Sequence, residues 1–246
     1  MPVSRAVILA AGTGTRMGSL TADRPKAMLD VDGRSLIERQ LDALAAFGIV
    51  DVTIVAGYRR ERLRDHLGRR VRFVENARYR ETNSLYSLSL ARETLGRGAI
   101  VMNSDVLVSP ALLGRLVDAP VDDALLVDRA GALDDEVMKV RIWQGFAIDF
   151  GKDLAPWDAD GENVGILKFG ADGGRRLVRH LDALIGAGQV NAWAPRAFRA
   201  LAPEWPLRVV ATDGLPWTEI DFPEDLERAR QMVDAAPVRR SDRRAA

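Results

Sequence analysis

Apolar residues in this chain alternate between short unbroken runs and stretches with helical spacing. Residues 5–10 (Arg-Ala-Val-Ile-Leu-Ala) form a continuous run, the mark of a strand buried on both faces. Residues 35–47 put Leu36, Ile37, Leu41, Leu44 and Ala45 at helical spacing, with Gly48 as a suitable stop. The pattern then predicts a strand over 52–56 ending at Gly57-Tyr58, a helix over 60–67 and a strand over 71–74. A helix over 83–95 follows, with Leu85, Leu88, Leu90 and Ala91 as its apolar side. A strand over 99–102 runs into Asn103-Ser104-Asp105. Strands alternating with helices imply right-handed crossovers and an α/β, Rossmann-like fold: a mostly parallel sheet with helices on both faces. Such sheets bind ligands outside the carboxyl ends of their strands. Three segments fall there: the loop 12–16, Gly57, and Ser104-Asp105.

The second half is less regular. Strands are expected over 124–128, 137–143, 147–150, 163–169 and 207–211, with helices over 174–185 and 223–233. Without an internal repeat or a clear linker, residues 1–234 read as a single domain. The Pro/Arg/Ala-rich stretch 235–246 reads as a disordered tail.

Composition removes several function classes. The 35 Lys and Arg balance 35 Asp and Glu, which argues against a general nucleic-acid binder. There is no cysteine, hence no disulfide framework and no thiolate metal site. His66 and His180 are the only histidines, so a histidine-based zinc site or general base is not expected. No apolar stretch approaches bilayer length, and 1–5 leads straight into the first strand without room for a signal peptide; a cytoplasmic protein without membrane contact is expected. Arginine is the default cation, so the four lysines, Lys26, Lys139, Lys152 and Lys168, stand out as point-charge candidates.

The chemistry concentrates near the start. The run into Leu9-Ala10-Ala11-Gly12-Thr13-Gly14-Thr15-Arg16-Met17 is followed by Pro25-Lys26. It describes a strand, a small-residue loop and two cations set to meet anionic oxygens. Met17 stands where a dinucleotide fingerprint needs its third glycine, and the Gly-Lys-Ser/Thr of a P-loop is absent. What remains is a loop whose backbone N–H groups can wrap a triphosphate, with Arg16 and Lys26 offsetting its charge. Asp105, at a strand's carboxyl end, suits a hard cation that bridges phosphates, although a capping role in a turn is also open. Asp221 precedes a proline-started helix, where an N-cap is the ordinary alternative.

The string Leu-Ala-Ala-Gly-x-Gly-Thr-Arg-Met, then Pro-Lys, resembles the signature of the sugar-nucleotidyltransferase-like (NTP transferase) superfamily, of nucleotide-diphospho-sugar transferase fold. The resemblance implies that the backbone of Leu9, Ala10 and Ala11 approaches the nucleobase. It implies that Gly12, Thr13, Gly14 and Thr15 wrap the triphosphate, and that Arg16 and Lys26 contact phosphates as catalytic residues. It implies Asp105 and Asp221, the latter within Glu219-Ile220-Asp221, as ligands of Mg2+. Asn83-Ser84-Leu85-Tyr86-Ser87-Leu88 is similar to a segment of CTP:phosphocholine cytidylyltransferases in which Asn and Ser lie near the nucleotide. With Gly57 and Ser104, Asn83 and Ser84 complete the expected nucleotide contacts. The similarity spans residues 5–232 and is loose over 120–210, the stretch that should shape the acceptor pocket.

For that pocket the candidates are Glu136, Lys139, Lys152, Glu162, Trp193 and Glu219. Glu162-Asn163-Val164-Gly165 resembles a sugar-contacting segment of hexose-1-phosphate enzymes. Trp143, Trp157, Trp193 and Trp217 with nearby carboxylates suit an ammonium group instead; of these, Trp193 is the best candidate wall. The expected protein is a Mg2+-dependent nucleotidyltransferase. It couples an NTP, CTP in the first place, to a phosphomonoester or phosphonate such as phosphocholine and releases pyrophosphate. The acceptor oxygen is already anionic, so the shortage of histidine is no obstacle. Two alternatives stand beside it: a hexose-1-phosphate thymidylyl- or uridylyltransferase, and a non-catalytic nucleotide-sensing module.

Overall fold

The computed structural model describes residues 3–234; the tail expected over 235–246 lies outside the described residues. In chain order the elements are β1 (Arg5–Ala10), β2 (Asp30–Val31), β3 (Arg34–Ser35), α1 (Leu36–Ala45), β4 (Asp51–Ala56), α2 (Arg60–Leu67) and β5 (Arg72–Glu75). There follow α3 (Ser84–Leu90), α4 (Arg92–Leu95), β6 (Ala99–Asn103), β7 (Val106–Val108), α5 (Pro110–Val117), β8 (Ala124–Asp128), β9 (Lys139–Trp143) and β10 (Phe146–Gly151). The last are β11 (Gly161–Phe169), α6 (Ala171–Gly186), α7 (Pro195–Leu201), β12 (Leu207–Ala211), β13 (Trp217–Glu219) and α8 (Pro223–Asp234).

Nine strands form one sheet in the order β5-β4-β1-β6-β11-β8-β12-β10-β9, with β9 also pairing β11. β1 shows why its sequence is apolar throughout. Ala6 and Ile8 pack on one face with Ile37, Leu44 and Leu63 of α1 and α2, while Val7 packs on the other with Leu85, Leu88 and Leu177 of α3 and α6. Burial on both faces is the physical meaning of an unbroken apolar run. The sheet is parallel from β5 to β6 and between β8 and β12. The sheet is mostly parallel in strand direction, as expected, and only β11 and β10 are reversed: β11 runs antiparallel to β6, β8 and β9, and β10 runs antiparallel to β9 and β12. β9 and β10 are successive and joined by a tight turn at Gln144-Gly145, a connection that only antiparallel neighbours allow.

Local chemistry explains the element ends. Ser35 caps α1 in a capping box with Glu38, and Gly48 (φ 74°) closes its far end. The helix expected over 83–95 is interrupted at Ala91 (φ −90°, ψ 18°). There the Ser89 hydroxyl donates to the Tyr86 carbonyl and Arg92 Nε donates to the Ser89 carbonyl, so side chains draw on carbonyls of the last turn. The short β7 and β13, each of three residues, and the seven-residue α7 carry too little periodicity to be read in advance.

Candidate active site

A cavity of about 380 Å3 opens at the carboxyl ends of β1 and β6. Its floor is the loop after β1. Met17 N–H donates to the Gly14 carbonyl (3.0 Å), as does the Thr21 hydroxyl (2.8 Å), which folds 14–21 into a compact turn. Gly14 lies at φ 63°, and a Cβ there would come within 3.1 Å of Lys26 Cβ, so the loop rests directly on the lysine stem. Leu9, Ala10, Ala11, Gly12, Gly14, Thr15, Arg16 and Lys26 all line the cavity.

The charged centre is assembled by a strand pair remote in sequence. β13 runs antiparallel to β7 with Glu219 opposite Val106, and Ile220 N–H donates to the Asp105 carbonyl (2.9 Å). This ladder brings Asp105, Glu219 and Asp221 together, with carboxylate oxygens within 4.8 Å of one another. Asp221 is not the helix cap. Asp225 accepts from the backbone N–H groups of Asp221 (2.8 Å) and Phe222 (2.7 Å), which leaves the Asp221 carboxylate facing the cavity. Lys26 Nζ sits between the two aspartates, 2.8 Å from Asp105 Oδ2 and 2.6 Å from Asp221 Oδ1. Arg16 holds Asp221 Oδ2 at 2.8 Å.

Burial works against the Lys26 ammonium, but Asp105 and Asp221 outweigh it and hold its pKa above the ordinary lysine value. Burial, then the charges of Asp105 and Asp221, push the Glu219 carboxyl up to about 8. The donor set suits a divalent cation such as Mg2+. The ligands are hard oxygens, and Asp105 Oδ1 is buried without a hydrogen-bond partner. Glu219, expected among the acceptor contacts, belongs by position to this cluster.

The opposite wall comes from α3, the 189–195 segment and strands β9–β11. Asn83 caps α3 through its side chain and donates its N–H to the Val190 carbonyl (3.1 Å); Ser84 Oγ accepts from Ala194 N–H (2.8 Å). These bonds seat Trp193, half exposed, on the cavity rim beside Asn83 and Ser84. Lys152 Nζ lies 5.2 Å from the Trp193 ring centre and 3.5 Å from Glu136 Oε2, and Glu136 reaches Arg16 at 3.8 Å. Glu162 lines the same wall. Burial, then the nearby Asp128 and Asp134, push its carboxyl up to about 7 against the pull of Lys152.

Three expected contacts are not on the cavity wall. Lys139 is fully buried, and its ammonium donates to the carbonyls of Asp134 (2.6 Å) and Lys152 (2.9 Å). Its rarity reflects a structural clasp rather than contact with an acceptor. Gly57 is a close-approach position: a Cβ would lie 2.7 Å from the Ala11 carbonyl and 2.6 Å from Tyr79 Cβ, so it supports the loop from behind. Thr13 also falls outside the lining, whereas Ser104 lies on it. Among the other tryptophans, Trp143 and Trp157 are exposed elsewhere, and Trp217 donates to Asp128 (3.2 Å). Sequence reasoning passed over Asn76, Tyr79, Asn103 and Met138, which line the cavity. Asn103 packs against Gly165: at φ 81°, a Cβ there would meet Asn103 Nδ2 at 2.7 Å.

Known proteins resemble this chain along its length. A CMP-5'-(3-aminopropyl)phosphonate synthase of Streptomyces rubellomurinus is 38% identical over 130 residues, which is 51% of this chain and 21% of that protein. A CTP:phosphoglutamine cytidylyltransferase of Campylobacter jejuni is 26% identical, covering 90% of this chain and 97% of the relative. Among solved structures, the CTP:phosphocholine cytidylyltransferase of Streptococcus pneumoniae superposes with a TM-score of 0.79 at 26% identity, over 95% of this chain and 100% of that one. The MobA-like NTP transferase domain matches residues 6–202, most of the described chain and nearly all of the cavity wall, and the chain belongs to that family.

Proposed function

We propose that this protein transfers a nucleotidyl group from an NTP, CTP by preference, to a small phosphorylated or phosphonylated acceptor such as phosphocholine. The observation that carries the reading is the Lys26–Asp105–Asp221 constellation, with Arg16 on Asp221, set directly against the glycine loop after β1. It pairs a triphosphate cradle with carboxylates suited to a divalent cation. An anionic oxygen of the acceptor attacks the α-phosphorus, the bond to the bridging oxygen breaks, and pyrophosphate leaves. The nucleophile needs no general base. Backbone N–H groups of the loop hold the phosphates, and Arg16 and Lys26 offset the charge that builds on them in the transition state. Mg2+ at Asp105 and Asp221 would supply further neutralisation at the α-phosphate. The relatives named for CTP support the nucleobase preference.

Trp193 with Glu136 and Glu162 suits an acceptor that carries an ammonium group. A hexose 1-phosphate is the second reading, favoured by Glu162 and Gly165 both lining the cavity. We assign the reaction to the cytoplasm; no described helix is long and apolar enough to cross a membrane. Pyrophosphate release from a panel of NTPs against phosphocholine, 2-aminoethylphosphonate and glucose 1-phosphate tests the proposal. The expected result is turnover with CTP and an amine-bearing acceptor. Turnover only with glucose 1-phosphate selects the second reading. Nucleotide binding with no release in any arm leaves a sensing module.

A further inference from the structure

The chain supplies its own cation to the two aspartates that suit a metal. Lys26 Nζ bridges Asp105 Oδ2 at 2.8 Å and Asp221 Oδ1 at 2.6 Å, and Arg16 takes the remaining oxygen of Asp221 at 2.8 Å. Two positive side chains thus face the two aspartates without any added ion. The Lys26 backbone is fixed: its short 3-10 turn is closed by Met28 N–H to the Pro25 carbonyl (2.9 Å) and Leu29 N–H to the Lys26 carbonyl (3.0 Å). Only the side chain can leave, and its stem lies against Gly14, at the place a triphosphate would be wrapped.

We propose that Lys26 is the resident counter-ion of the metal site and sets the order of ligand binding. A divalent cation on its own must displace an ammonium from two short, largely buried ion pairs, and so binds weakly. A triphosphate, with more negative charge than either carboxylate, draws Lys26 and Arg16 away and frees both aspartates. Nucleotide and metal therefore bind with positive coupling, which by linkage acts equally in both directions. The inference rests on the nucleotidyl-transfer reading for its choice of triphosphate, but not on turnover.

Mn2+ binding to the protein without nucleotide, followed by the EPR signal of free Mn2+, tests it. Lys26→Met should bind Mn2+ about tenfold or more tighter than wild type, while the charge-retaining Lys26→Arg should stay as weak as wild type. Lys26→Met within about twofold of wild type overturns the proposal. If Lys26→Met does not fold, [15N]lysine NMR of the wild type takes its place. The chain has only four lysines, and Lys26→Arg assigns the signal. CTP in the presence of EDTA should move the Lys26 ammonium resonance, and millimolar Mg2+ alone should not. Any other pattern overturns the proposal. Both arms read occupancy. A protein that passes them yet releases no pyrophosphate would defeat the proposed reaction and not this inference.

Discussion

The two walls of the cavity manage charge in opposite ways. On the wall made by β1, β6 and β13, Lys26, Arg16, Asp105 and Asp221 close a network of short ion pairs. On the wall made by α3, the 189–195 segment and β9–β11, Glu162 sits beside Asp128 and Asp134 with only Lys152 to oppose them. The first wall balances its own charge and suits a polyanion that arrives with its own counter-ion. The second gathers carboxylates around a single lysine and suits a positively charged ligand.

The largest effects should come from breaking the balanced wall. Asp105→Ala should abolish most turnover even at saturating Mg2+, and Lys26→Ala should lower kcat by roughly ten to a thousand times, as losing a transition-state charge partner does. Near-normal kcat in either variant would remove that residue from the centre. A smaller, one-sided effect is expected on the second wall. Trp193→Ala should weaken acceptor binding by about 0.5–2 kcal/mol and leave NTP binding unchanged, measured by calorimetry for each ligand. Equal loss for both ligands would mean that Trp193 holds the 189–195 segment in place instead.

The smallest effect separates the walls by pH. Folded Glu162 keeps its proton up to about 7, against 4.5 for an ordinary glutamate. The folded state thus binds more protons than the unfolded chain across that window, and stability falls as pH rises through it. Glu162→Gln removes this fall. Its unfolding free energy relative to wild type, measured by denaturant titration, should be higher above pH 7 than below pH 4.5, by an amount on the order of 1 kcal/mol or less after solvent screening. An unchanged difference would show that Glu162 is already neutralised by a partner.

The balanced wall was more legible than the acidic one. The loop after β1 is a contiguous string, and backbone geometry carries Gly12, Gly14, Arg16 and Lys26 to the cavity together. Asp105 and Asp221 were legible from motif, but their meeting depends on the β7–β13 ladder, whose three-residue strands leave no periodic trace. On the acidic wall single residues misled. Lys139 stood out by rarity and proved to be a buried clasp for two carbonyls, while Met138, its neighbour in sequence, lines the cavity. Side chains alternate across a strand, so an error of one position moves a residue to the other face.

The sequence alone determined the α/β class, the order of most strands and helices, and the loop with its two cations. These rest on periodicity, caps and contiguous spacing, which act within a few residues. Tertiary structure decided the antiparallel insertion of β11, the seating of Lys26 between two aspartates, and which carboxylates go unpaired. Each of these depends on strand pairing and charge burial between segments far apart in the chain, and such long-range terms leave no mark on local pattern.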